Sequence, residues 1–190
     1  METGFIISSF LLISFAILAV ADGFYLHIFK YQLHNHKEST TEHLMHTIRA
    51  ILFPAIVYFL FVLQDCPTGF YVGILLVIID IMVLITDAFL EKDSRIFMNG
   101  LPHWEYILHL LINGFHFASI AVFLTMKLHI ENNHIGVLPD LSGFNGFTTF
   151  QLIARNLMPG AILIAFIHVI TSIKTTRVYW NMLRNTINCC

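Results

Sequence analysis

Charge is scarce in this chain: Asp, Glu, Lys and Arg together make up 12% of its 190 residues, while 57% are hydrophobic. With a mean hydropathy of +0.75, that scarcity excludes an ordinary soluble domain and points to an integral membrane protein. Cysteine is sparse as well. Cys66 stands alone, and Cys189 and Cys190 form a terminal pair with no lipidation signal around it, so no disulfide framework is expected. A net charge of -2 leaves no basic patch, and no nucleic-acid partner is expected.

What the chain has in abundance is apolar runs, at 5–21, 48–63, 70–85, 107–126 and 157–173. Each is near the roughly 20 residues a helix needs to cross a hydrocarbon core, which gives five spans. Ala19, Val20 and Ala21 have the form of a signal-peptide cleavage site, but Met1 to Gly4 carry no positive charge and the run is too long for an h-region, so it is read as the first span. The fold class expected is an all-α membrane bundle in which the first four helices run up and down as a duplicated helical hairpin and a fifth is added. One membrane domain covers 1–190, with repeat one at about 5–64, repeat two at about 69–128, an outer loop at about 129–150 and the fifth helix at about 155–180. Basic residues set the orientation. Lys30, Lys37, Lys92, Arg95, Lys174, Arg177 and Arg184 fall on one side, Lys127 and Arg155 on the other, which puts the N-terminus outside and the C-terminus in the cytoplasm.

The ionisable residues are not scattered. Asp22, His27, Glu42 and His46 at the margins of the first two spans are echoed by Asp87, Glu91, Glu105 and His109 at the margins of the next two. Asp precedes Glu by 20 residues in one copy and 18 in the other, and Glu precedes His by four in both, which puts that pair on one helix face. Alternating direction brings all eight to one membrane face. Ser39, Thr40 and Thr41 suit a cap for the second helix, and Pro102 the first turn of the fourth. Pro54 is expected to kink its helix and Pro159 to mark a beginning. His27 is the weak member of the set, since five residues turn it roughly 140° from Asp22 on an α-helix.

Two Glu-x-x-x-His pairs with extra carboxylates have the ligand types that hold two divalent cations. By analogy the pattern is similar to the ferritin-type carboxylate-bridged di-metal bundles, which use Glu-x-x-His, with one residue fewer between the ligands. The paired histidine boxes of membrane desaturases are lacking. A second layer lies deeper: Asp80 is seven residues before Asp87 and His116 seven after His109, with His168 in the fifth span, and Arg49 placed to pair with a carboxylate. His34, His36, His43 and His103 are read as mostly solvated residues of the connections.

The leading functional expectation is a di-metal oxidoreductase, with iron ahead of zinc or manganese. It would act on a lipophilic substrate, a membrane lipid chain or a quinone, with an electron donor as partner. The alternatives are a divalent cation or proton transporter running through Asp80, His116 and His168, and a b-type haem protein ligated by His46 with His109 or His116 with His168.

Overall fold

A computed structural model of the chain describes residues 1–64, 66–131 and 134–188; Cys189 and Cys190 lie outside the described residues. Six α-helices occur among them: α1 (Glu2–Ala19), α2 (Thr40–Ile56), α3 (Pro67–Ser94), α4 (His103–Lys127), α5 (Phe147–Ser172) and α6 (Lys174–Asn188). The all-α class holds, and five helical stretches are long and apolar enough to cross a membrane: Glu2–Asn35, Thr40–Val62, Pro67–Ser94, His103–Lys127 and Phe147–Ser172. Burial is inverted relative to a protein built for water. Ile6, Phe10, Ile17, Leu75, Phe89 and Phe166 face outward, while Asp22, Glu42, Asp80, Asp87, Glu105 and five histidines are enclosed.

Two helices change pitch. Val20–Lys30 continues α1, and Val57–Val62 continues α2, as π-helix. In these turns an N–H reaches back five residues, as Tyr31 N does to Leu26 O and Leu63 N to Tyr58 O, both at 2.8 Å. In α2 the wide turns follow Pro54, which removes one backbone donor and crowds the turn before it, so the helix widens there and carries on. Close packing follows from small residues: a Cβ on Gly73 of α3 would lie 3.2 Å from the Leu60 backbone nitrogen.

Helix neighbours do not follow sequence order. α1 lies against α4 and α5, and α2 against α3 and α5, so α5 stands between α1 and α2. The backbones of α3 and α4, although joined directly, keep apart, and the two helices meet through side chains such as Glu91 with His109 and Asp80 with His116. The end of the bundle formed by the start of α1 and the close of α4 is filled by aromatic rings: Phe61 meets Phe123 at 4.9 Å and Phe150 at 5.2 Å, and Phe5 meets Phe147 at 5.5 Å. The ionisable residues collect at the opposite end.

Several local expectations are corrected. The outer loop contains an antiparallel hairpin, β1 (Leu128–Glu131) with β2 (His134–Val137). α5 begins at Phe147, after Gly146 with φ 86°, because Phe147 and Phe150 anchor it to Phe5; the polar Thr148 and Thr149 hid this start. Pro159 is therefore inside α5, on an exposed face, and the fifth helix ends at Ser172, where Ile173 turns extended and α6 departs. Ser39 holds the cap position of α2, but its hydroxyl donates to Ser94 O at 2.6 Å and caps nothing.

Candidate metal centre

The π-helical turn after α1 is what builds the first half of the site. With an i to i+5 ladder, five residues complete about one turn, so His27 comes under Asp22 and its Nε2 lies 3.3 Å from Asp22 Oδ1. The expected divergence of these two residues is corrected on that ground. On α4, Glu105 and His109 share a face as their spacing dictates. Asp22, His27, Glu105 and His109 each present a ligand atom within 4.8 Å of the others, and His27, Glu42 and His46 form a second such group.

The two repeats meet crosswise. Asp22 of the first copy lies 3.2 Å from His109 Nε2 of the second, and Asp87 of the second lies 3.6 Å from His46 Nε2 of the first. Glu91 closes the other nitrogen of His109 at 2.5 Å. His27 takes the corresponding place beside His46, ring centroids 4.3 Å apart. All eight sequence candidates are thus brought into one cluster.

Arg95 is the residue that sequence reasoning missed. It is 0% exposed, and its Nη2 sits 2.7 Å from Glu42 Oε1, 3.0 Å from Glu105 Oε1 and 3.0 Å from His27 Nε2. One guanidinium therefore bridges the Glu of each copy. Ser94 donates a hydrogen bond to Glu42 as well. Its spacing gave a partial signal: Asp87 and Glu91 are four apart on one face of α3, and Arg95 follows by four, just past the end of the helix at Ser94.

Charge decides what this cluster needs. Asp22, Glu42, Asp87, Glu91 and Glu105 face a single guanidinium, Arg95, leaving a surplus of four negative charges if the histidines are neutral. A buried carboxylate without compensation is costly; Oε2 of Glu105 and Oδ1 of Asp87 lack a hydrogen-bond donor among the described residues, while Glu105 Oε1 shares the Arg95 guanidinium with Glu42. Two divalent cations would cancel that surplus. Carboxylate and imidazole donors suit zinc, iron or manganese.

The deeper layer forms as a separate cluster. Asp80 binds Arg49 Nε at 3.1 Å and His116 Nε2 at 3.2 Å, and Arg49 donates to Asn113 at 2.8 Å. His168 is not part of it. Its ring stacks on His43 at 5.5 Å, and His43 in turn faces His34 at 5.6 Å and Thr171 at 3.1 Å. His34 and His43 are both buried, against the expectation of solvated loop residues: His168 and Thr171 of α5 lie against His43, and α6 folds back over residues 24–35, where Asn181 meets His34 at 3.3 Å and Trp180 meets Phe24 at 6.2 Å.

A cavity of about 460 Å³ joins the layers, bounded by Asp22, His46, Asp87, Glu91 and His109 at one end and by Arg49, Asp80, Asn113 and His116 deeper in. Its other walls are mostly apolar, among them Phe15, Phe53, Leu84, Leu157 and Ile164. No protein-family model, curated protein or solved structure matches this chain, so its function is read from the centre itself.

Proposed function

We propose that the chain is a membrane-embedded, two-metal oxidoreductase whose substrate is lipophilic. The observation that carries this reading is the buried surplus of carboxylates over guanidinium, arranged in two crosswise groups and bordering an apolar cavity. One ion would be held by Asp22, Glu105 and His109 with Glu91, the other by Glu42, His46 and Asp87, with His27 between them. Iron is the metal proposed, since carboxylate and imidazole ligands leave positions open for dioxygen. The five apolar helices span the bilayer with the N-terminus outside, and the two halves descend from one duplicated hairpin.

Arg95 holds the two Glu side chains in place, and the cavity supplies an apolar route to the centre that excludes water. A transport path is less well supported: beyond Asp80 the bundle closes on Phe61, Phe123 and Phe150, and the buried Lys127 past them is held by Gln64 at 2.7 Å. Haem ligation leaves the carboxylates without a role.

The test is elemental analysis of detergent-purified protein beside a Glu42→Gln, Glu105→Gln double variant, with an absorption spectrum of each. About two equivalents of iron per chain, falling by at least half in the variant, is the expected result. Absence of stoichiometric metal in the folded parent protein overturns the reading, and a haem band replaces it.

A further inference from the structure

The deep end of the cavity is polar in a way the metal centre does not require. Arg49, Asp80, Asn113 and His116 come from three helices and meet about 10 Å below the metal cluster, seven residues along α3 from Asp87 at 1.5 Å per residue. Their mutual bonds leave capacity over. Arg49 uses Nε on Asp80 and one Nη on Asn113 Oδ1, so among the described residues its second Nη and the Asn113 amide nitrogen have no partner. Asp80 Oδ2 is buried with His116 Nε2 3.2 Å away, and a carboxylate oxygen so engaged keeps a second lone pair to accept with. Two donors and one acceptor therefore border one apolar cavity.

We propose that this quartet binds the neutral head group of a quinone-type lipid. Charge selects a neutral head. The Arg49 guanidinium is already met by Asp80 at 3.1 Å, and the surplus carboxylates of the metal cluster bound the same cavity, so a fatty-acid carboxylate or a phosphate would bring in negative charge with nothing to cancel it. Shape selects a flat one. Phe15 and Phe53 both line the cavity beside His116, with ring centroids 4.7 Å and 5.9 Å from the imidazole and 4.7 Å from each other. A carbonyl oxygen accepts from Arg49 and Asn113, and a hydroxyl at the same place donates to Asp80, so both oxidation states of the head are served.

The tail has a way out. The backbones of α3 and α4 keep apart, joined by the side-chain contacts of Glu91 with His109 and Asp80 with His116, and between these Ala88, Tyr106 and Leu110 line the cavity while facing outward, Tyr106 at 53% and Leu110 at 56% exposure. An apolar chain leaving between these helices passes directly to the surroundings of the bundle. Taking the bound molecule for the substrate of the metal centre rests on the function proposed above; the binding site itself does not.

The experiment is a calorimetric titration of detergent-purified, full-length protein with decylubiquinone and, separately, with decanoate. It is run on metal-free and on metal-loaded samples, and on Asn113→Leu and Ala161→Phe variants. Saturable quinone binding, weakened about tenfold by Asn113→Leu through loss of one hydrogen bond, is expected, with decanoate at least as much weaker. Ala161→Phe fills the cavity without touching the quartet, so it is expected to abolish binding even where Asn113→Leu fails to fold. Absence of quinone binding, equal binding of decanoate, or indifference to both variants overturns the site. Quinone binding in a protein that holds no metal keeps this site and removes the metal centre, and the reverse outcome removes this site alone.

Discussion

Arg95 decides the charge balance of the centre. Its guanidinium is fully enclosed and bridges Glu42 and Glu105, so removing it leaves two buried carboxylates with no fixed counter-charge. Breaking a buried pair in this way costs about 3–5 kcal/mol. Arg95→Met is therefore expected to lower the thermal midpoint of chelator-treated protein by roughly 10 °C, with much of the loss recovered on adding metal. An unchanged midpoint without metal would show that the carboxylates are neutralised by protons. Most of the site residues were legible in the sequence, because Glu-x-x-x-His repeated at matching intervals survives any detail of packing. Arg95 was not, since a basic residue just beyond an apolar run reads equally well as a marker of membrane orientation. His34 was hidden for another reason: its burial depends on α6 returning over residues 24–35, which no local pattern announces.

At the level of single helices, the π-helical Val20–Lys30 is the element that makes the first repeat work. The i to i+5 ladder is what puts His27 under Asp22, and a test follows from its geometry. Deleting Tyr25, which faces outward, leaves His27 four residues from Asp22, where an ordinary α-helix again stacks the two. That variant is expected to keep its metal, whereas inserting one alanine at the same point separates the pair by six residues and is expected to lose it. Metal content by elemental analysis compares the two, and equal loss in both would mean that the pitch is incidental. The five apolar helices could be read directly from hydropathy. The π turn after α1 could not, because no residue within it marks the change of pitch, whereas the one that continues α2 follows Pro54. The start of α5 was lost likewise, as its anchoring ring contacts to Phe5 join positions far apart in the chain.

Over the whole molecule, the arrangement places ionisable side chains at one end, rings at the other and a cavity between. Orientation can be tested with a single thiol. Cys66 lies between α2 and α3 at the ring-filled end, half-buried, and in a Cys189→Ser, Cys190→Ser variant it is the one remaining cysteine of the chain. With the N-terminus outside, a membrane-impermeant maleimide is expected to label it on intact cells; labelling only after permeabilisation would reverse the orientation. Sequence order suggested hairpin neighbours, yet α1 packs on α4 and α2 on α3, with α5 between the first two. Hydropathy carries no information on which helices meet, so this neighbour order was out of reach of the sequence. It also sets a timetable for synthesis. Asp22 and its partner His109 are 87 positions apart, so at about 5–20 residues per second the aspartate waits roughly 4–17 s for the imidazole that will meet it. In the membrane-spanning reading proposed above, a carboxylate stranded in mid-bilayer for that long would resist insertion of its helix, whereas one at the margin waits in water. On that reading the place of the cluster at the helix ends eases assembly, and the whole arrangement around it includes α5, the last of the five to be made, between α1 and α2.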